Sequence, residues 1–568
     1  MKSAGLAKRI GAQKHPLWSG AAVSLALFIL AVGFFALSHP NILLPRGAAP
    51  AGWLAYLPVF LLIRRTTLVR SVFYGAAYGY AAYNLFGYWL AAFHPLAGII
   101  TGTLELFWFS LLFFLLKLVQ RLLPRGSTLA EVMLWTGFEW LRTQGFAGYP
   151  YGLTAYSQWE VLPLIQIAGI AGPWAVSTLV LFPQCYIAAL WSRAGDKTPQ
   201  GILKTALFRR EKTRLCPLSP RLWPFWVYLA VLIAVLVYGF TAPHDFQDEP
   251  QTKIALIQPN SDPWKGGIAE YRDNLRVLRS LSDAALQSDP GIELVVWPET
   301  AFVPRIFWHE TYRDDPESFR LVRELTTYLA SKPAPFLIGN DDARLEAQPS
   351  GDWERVDYNA AILFDQGRIV DQYRKMHLVP FTEYFPYEKQ FPQIYAWLLA
   401  ADTHFWKRGD RPTVFRVDRA GTETGASAPP PLLFSTPICF EDSFSDLSRT
   451  FVQNGANLIV NISNDAWSAS LPAQYQHLSM AVFRAVENRR AMVRATASGQ
   501  TCLMLPNGRV LREAAPFTEN YLVVNAPLME ETTFYTAHGE LVLFAALLTT
   551  FFLSLVYGIF CALKKKTA

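Results

Sequence analysis

"PLLFSTPICFED", Pro431–Asp442, sets an apolar run against a single cysteine and two acids. The run reads as a strand that ends at Cys439. α/β folds gather their active sites at the carboxyl ends of such strands. A cysteine there is open to three readings: a small core residue, half of a disulfide, or a nucleophile. Its surroundings decide between them.

Outward from this segment, strands and helices alternate. "KIALIQ" (Lys253–Gln258) reads as a buried strand and Ile268–Leu286 as an amphipathic helix. "IELVVWPE" and "PFLIGN" are further strands. "YNAAILFDQGRIVDQY" reads as a hairpin turning at Asp365–Gly367, and "TCLMLPNGRVL" as another turning at Asn507–Gly508. Ser443–Gln453 is expected to be helical, "NLIVNIS" a strand, and Gln474–Arg494 one long helix. This order predicts a layered α/β domain. Residues 418–430, "DRAGTETGASAPP", read as a flexible insertion.

The rest of the chain has a different character. Of 568 residues 52% are hydrophobic, and the mean hydropathy is +0.18. That is too apolar for an ordinary soluble enzyme and too charged for a pure membrane bundle. Eight stretches approach the length of a helical span: Leu17–Leu37, Ala48–Ile63, Val72–Ala92, Leu96–Leu118, Leu129–Leu141, Val161–Trp191, Leu222–Thr241 and Leu541–Leu563. Leu17–Leu37 is long for a signal-peptide core and lacks a clear cleavage site, so it is expected to stay as an anchor. Glu105 and Glu139 fall inside these runs, where a carboxylate needs the interface or a partner in the bundle.

The net charge of +6 is concentrated in short loops, which points to membrane orientation rather than nucleic acid. Lys2, Lys8, Arg9 and Lys14 place the first flank inside. Arg64, Arg65 and Arg70, then Lys117, Arg121 and Arg125, then the basic stretch Arg193–Arg221, and finally Lys564–Lys566 agree with it. The long region between spans seven and eight is therefore expected outside. The implied organisation is a membrane domain of about seven helices over 1–241, an outer α/β domain over 242–540, and a last helix with a basic tail over 541–568. The outer-face loop Thr143–Gln158 is rich in Gly and Tyr and suits an interfacial belt or a lipid entry site.

Three polar residues stand at or just beyond strand ends: Glu299 in "VVWPETAF", Lys375 in "YRKMHLVPFTEYFP", and Cys439. A thiol at neutral pH is mostly protonated, a neighbouring carboxylate can take its proton, and a lysine can stabilise an oxyanion. Together they suit acyl transfer through a thioester. Taken singly, each has an ordinary structural explanation as a cap, a solvated side chain or a core residue. Five cysteines in so long a chain make no disulfide framework. An outer domain nonetheless permits a Cys439–Cys502 bridge. On spacing alone, bridge and nucleophile stand level.

The ordered set "VVWPETAF", "YRKMHLVPFTEYFP", "PICFED" and "NDAW" resembles the carbon–nitrogen hydrolase (nitrilase) superfamily. With the spans, and with "FEWLRTQGFAGYPYGLTAYSQ" and "QHLSMAVFRAVENRRAMVRATASG", the chain is similar to the apolipoprotein N-acyltransferase family from about residue 50 onward. The resemblance implies an α/β/β/α sandwich outside a bacterial inner membrane, with both termini cytoplasmic. It implies Glu299 as general base, Lys375 as oxyanion stabiliser and Cys439 as nucleophile, with Glu383 and Glu441 in support. Trp264, in "PNSDPWKGG", and Phe440 would line the substrate path. The implied substrates are a phospholipid acyl donor and a diacylated apolipoprotein acceptor, with no metal or dissociable cofactor.

"NDAWSAS" lacks the expected Phe-Gly, "TASGQT" replaces an Asn-rich turn, and 418–430 is extra. None of these touches the three central residues. Two other readings remain: a membrane-anchored amidase acting on a soluble amide, and a binding protein with a Cys439–Cys502 bridge.

Overall fold

The computed structural model describes residues 20–93, 96–123, 126–145, 148–193, 223–243, 245–262, 266–347, 351–400, 405–419 and 429–566. Trp264, the basic stretch 194–222 and positions 420–428 of the expected insertion lie outside them, as do the expectations that fall there.

The first part is a helical bundle: α1 (Gly20–Ser38), α2 (Leu57–Arg65), α3 (Leu68–Phe86), α4 (Ala97–Leu122), α5 (Ser127–Arg142), α6 (Ala168–Arg193) and α7 (Trp223–Thr241). Five helices among the described residues are long and apolar enough to cross a membrane: Gly20–Ser38, Ala97–Leu122, Ala168–Ser192, Trp223–Thr241 and Leu541–Phe560. They make this a membrane protein. The other three expected spans take different forms. Ala48–Ile63 is broken into Ala49–Gly52 and α2, because Pro50 and Pro58 each start a new helix. Val72–Ala92 falls on α3 and a separate turn, Leu90–Phe93, interrupted at Gly87. Leu129–Leu141 lies in α5, which has 16 residues.

Small residues and polar pairs close the bundle. Gly75 and Gly79 let α3 meet α4 backbone to backbone. A methyl group at either would lie 2.3 Å from the carbonyl oxygen of Phe109 or Glu105. Glu105 and Glu139 are both paired inside the bundle. Glu105 accepts from Arg142 at 2.6 Å. Glu139 accepts from the hydroxyls of Thr154 at 2.5 Å and Ser177 at 2.6 Å.

Among the described residues, the second part carries twelve strands in two sheets. The first holds β1 (Gln251–Gln258), β2 (Leu294–Val296), β3 (Phe336–Ala347), β4 (Trp353–Asp365), β5 (Arg368–Arg374) and, from the end of the region, β12 (Asn520–Pro527), in the order β12-β1-β2-β3-β4-β5. The second holds β6 (Val414–Val417), β7 (Leu432–Ser435), β8 (Leu458–Ser463), β9 (Met492–Thr496), β10 (Cys502–Met504) and β11 (Val510–Glu513), in the order β11-β10-β9-β8-β7-β6. Each sheet has a parallel centre and antiparallel edges.

Side-chain alternation builds the layers. Along β1, Ile254 and Leu256 enter the space between the sheets. Ala255 and Ile257 face α8 (Ile268–Ser288) and α9 (Pro316–Ala330). Along β8, Leu458, Val460 and Ile462 also point between the sheets, and Ile459 points outward. That outward face meets α10 (Ser445–Gln453) and α11 (Leu471–Asn488). The result is the expected α/β/β/α sandwich. The core behind the second sheet does not stop at α11. It runs on without a break into the membrane bundle, from Met492 and Met504 through Phe483 to Tyr156, Trp135 and Phe35. The last helix, α12 (Leu541–Lys566), returns to that bundle.

Two local readings need correction. The helix expected over Gln474–Arg494 ends at Asn488, because Arg489 turns left-handed at φ +47°. The chain then re-enters the sheet as β9, with Ala491, Val493 and Ala495 alternating into the sandwich core. The strand expected to end at Cys439 stops at Ser435. Pro437 has no N–H to continue the ladder.

Candidate active site

Glu299 lies in the turn after β2. Gly339 on β3 makes room for it, since a methyl group there would lie 2.2 Å from the Pro298 carbonyl and 2.7 Å from the Glu299 Cα. Lys375 directly follows β5, with its N–H bonded to the Asn359 carbonyl at 2.8 Å. Cys439 opens a tight turn over Cys439–Ser443. Its φ is +52°, a left-handed conformation that is costly for a residue with a Cβ. The turn is pinned from β8, where the Asn461 amide donates to the Pro437 carbonyl at 3.0 Å and the Cys439 carbonyl at 3.3 Å. Cys439 is partly exposed.

Lys375 is wholly buried and donates to Glu299 Oε1 at 3.2 Å and Glu383 Oε1 at 2.7 Å. Burial works against its ammonium, but Glu299, Glu383 and Cys439 outweigh that and hold its pKa well above the ordinary lysine value. Burial pushes Glu383 up, and Lys375 opposes the shift. The Cys439 thiol is also pushed well up by burial, with Glu299 adding to the effect and Lys375 opposing it. At rest it carries its proton.

Each oxygen of Glu299 has its own holder. The Asn359 side chain donates to Oε1 at 2.8 Å, and the Asn464 N–H donates to Oε2 at 2.9 Å. Glu441 plays a different part. It is buried, and its Oε1 accepts from the Tyr373 hydroxyl at 2.8 Å and the N–H groups of Met376 at 2.7 Å and His377 at 2.8 Å. Its Oε2 accepts from the Ile438 N–H at 2.8 Å. Burial lifts its pKa to about 7 against the pull of these donors. One carboxyl group thereby straps the Lys375 segment of the first sheet to the Cys439 turn of the second.

Five of the seven residues singled out in the sequence, Glu299, Lys375, Glu383, Cys439 and Glu441, meet in this one place. Phe440 stands at its edge. Its ring stacks on Tyr151 of the bundle, with centroids 6.2 Å apart at 11°. Trp89 continues this aromatic wall, 5.9 Å from Tyr151 and 5.6 Å from Trp467. Gln476 on α11 fastens the two parts together. It accepts from Trp89 at 2.9 Å and donates to the carbonyls of Pro40 and Phe86. The bridge alternative fails: Cys439 and Cys502 are both free. Cys502 points to the helix side of its sheet, while Cys439 packs against the core between the sheets.

Asn359 carries no motif of its own, and Asn464, the first residue of "NDAW", was not singled out as a partner of Glu299. The nearest signal for Asn359 is an isolated polar residue in the apolar half of β4. Asn359→Ala should slow acyl-enzyme formation about tenfold. It removes a charge-assisted hydrogen bond worth about 1.5–3 kcal/mol from the carboxylate. Single-turnover kinetics check this, and an unchanged rate contradicts it.

Paired sheets with outer helices, and a carboxylate, a lysine and a cysteine between their ends, are the marks of the carbon–nitrogen hydrolase class. The profile described as carbon-nitrogen hydrolase matches residues 253–533. That for the apolipoprotein N-acyltransferase N-terminal domain matches residues 33–186. The chain is 44% identical over 513 residues to apolipoprotein N-acyltransferase 1 of Treponema pallidum, covering 89% of each chain. It is 40% identical over 534 residues to apolipoprotein N-acyltransferase 1 of Treponema denticola, covering 91% of this chain and 93% of that one. Among solved structures, Saccharomyces cerevisiae Nit3 of the nitrilase superfamily overlays 49% of this chain and 90% of its own, at 18% identity and a TM-score of 0.33. On the curated relatives, the chain belongs to the apolipoprotein N-acyltransferase family.

Proposed function

We propose that the protein moves an acyl chain from a membrane phospholipid, through a thioester on Cys439, to the α-amine of an N-terminal diacylglyceryl-cysteine on an apolipoprotein. The observation that carries this reading is Lys375, buried between Glu299 and Glu383 and interacting with Cys439.

The raised thiol pKa means that attack and deprotonation go together. Glu299 takes the thiol proton as sulfur bonds to the ester carbonyl carbon. An ammonium has three N–H bonds. Glu299 and Glu383 take two, and the third serves the developing oxyanion. The carbon–oxygen ester bond then breaks, and the departing lysophospholipid oxygen takes the proton from Glu299. In the second half, the acceptor amine loses its proton to Glu299 as it attacks the thioester. The thiolate leaves and recovers that proton.

Both substrates are membrane lipids, which fits a catalytic site walled on one side by Tyr151 and Trp89 of the bundle. We place the catalytic region, 242–540, on the periplasmic side of a bacterial inner membrane. The membrane domain over 1–241 and the helix over 541–568 together cross it eight times, with their basic flanks in the cytoplasm. Phe440 lines the lipid path in this reading.

The test supplies phospholipid and a diacylated lipopeptide to wild type and to Cys439→Ala, and follows acyl gain by mass spectrometry. The variant should form no thioester and transfer nothing. Transfer at the wild-type rate without Cys439 sinks the mechanism.

A further inference from the structure

Behind the nucleophile turn lies a second cluster of ionisable groups that the reaction above does not use. Asp442 is three residues past Cys439 in the same turn. Asp465 directly follows Asn464, whose N–H holds Glu299. His477 comes from α11 and Arg494 from β9. All four are buried, and Asp442 and Arg494 have no exposure at all. His477 stands between the acids, with Nε2 2.7 Å from Asp442 Oδ1 and Nδ1 3.2 Å from Asp465 Oδ1. Arg494 spans the same pair, 2.7 Å from Asp442 Oδ2 and 3.4 Å from Asp465 Oδ2.

We propose that His477 and Arg494 are positioning residues of a charge-balanced clamp, which sets the Cys439 turn against the Glu299-holding loop and cancels two carboxylates beside the thiol. The proposal rests on Cys439 being the nucleophile.

Connectivity is the first argument. Asp442 belongs to the turn that presents sulfur, and Asp465 to the loop after β8 whose Asn464 N–H holds Glu299 Oε2. His477 and Arg494 each bridge the two acids, so this cluster adds to the Asn461 and Glu441 contacts in setting the Cys439 turn against the loop that holds Glu299. Charge is the second. Two buried carboxylates need two cations. Asp442 and Asp465 push the His477 ring up to about 9, against burial and against Arg494. The cluster at neutral pH therefore holds two negative and two positive charges. The balance matters because Asp465 acts directly on Cys439 as a repelling charge. A net negative cluster would disfavour the thiolate, and a net positive one would favour it.

This fixes the signs of two substitutions. His477→Gln leaves one negative charge in excess, and Asp442→Asn leaves one positive charge in excess while Asp465 keeps the His477 ring protonated. The double variant is neutral again. Full-length protein in phospholipid nanodiscs is treated with iodoacetamide at neutral pH, and labelling of the Cys439 peptide is timed by mass spectrometry. A single uncompensated charge at this depth is expected to slow labelling about tenfold in His477→Gln and to speed it about tenfold in Asp442→Asn. The double variant should return to within about twofold of wild type.

A cluster that only packs the core would move both single variants in the same direction, or neither, and either result overturns the clamp. Should His477→Gln fail to fold, Asp442→Asn must still label faster than the double variant, and equal rates overturn the proposal. Absence of labelling at Cys439 in wild type overturns the nucleophile reading itself, and this proposal with it.

Discussion

Lys375→Met is expected to abolish thioester formation and to unfold more readily than any other single substitution in the site. The ammonium has no exposure and separates two carboxylates, Glu299 and Glu383. Removing one partner of a buried ionic set costs about 3–5 kcal/mol, because the charges left behind have neither water nor a counter-ion. Loss of the oxyanion donor alone lowers the rate by about 10²–10³-fold. The two effects separate in a second variant. Lys375→Met with Glu383→Gln removes the orphaned charge, and should regain most of the stability and none of the activity. Thermal unfolding and single-turnover acylation read the two quantities. A Lys375→Met enzyme that still forms thioester at the wild-type rate removes lysine from the mechanism. A double variant that unfolds no later than the single shows that charge is not the cause.

Glu441→Ala should have the second largest effect, by a different route. Its carboxyl group accepts four hydrogen bonds, from Tyr373, Met376, His377 and Ile438. Each buried donor left without a partner costs about 1–3 kcal/mol. The larger consequence is geometric. Three of these donors lie beside Lys375 and the fourth beside Cys439, so without the strap the two reacting groups are free to drift apart. A displacement of about 1 Å costs about 10²-fold in rate. Glu441→Gln should restore part of the stability but little of the activity, since its amide nitrogen would meet the Ile438 N–H and only its oxygen can accept. Full activity in Glu441→Gln would show that the strap needs no second acceptor.

The sandwich was legible because its strands are short, apolar and separated by turn-formers such as Asp365–Gly367 and Asn507–Gly508. Glu299, Lys375 and Cys439 were legible because each lies in a local run of distinctive residues. Errors arose where a local signal was continuous and the structure was not. "VENRRAMVRAT" keeps helical composition past Asn488, and only the left-handed Arg489 marks the break. A break of the same kind lies inside the expected span Ala48–Ile63, which Pro50 and Pro58 divide into two helices without deciding whether it crosses the membrane. What the sequence could not reveal was assembled from a distance. Asn359 reaches Glu299 from 60 residues away, and Asn464, although inside the motif "NDAW", shows its bond to Glu299 only in the fold, from 165. His477 and Arg494 reach Asp442 from 35 and 52. Such residues look like ordinary polar positions until the fold brings them together. The departure at "NDAWSAS" has a similar lesson: Ala469 adopts the left-handed conformation, at φ +44°, that a glycine would take without strain.

The continuous core described above, from Phe35 in α1 to Met504 in β10, changes what a membrane anchor means for this protein. A tether holds an enzyme near its substrate and leaves its chemistry alone. Here the helices of the bundle are packed into the back of the second sheet, and a ring from the loop between α5 and α6, Tyr151, stacks on Phe440 beside Cys439. The packing of those helices is therefore continuous with the packing behind Cys439. In the proposed reaction, lipid thus enters twice, once as reactant and once as scaffold.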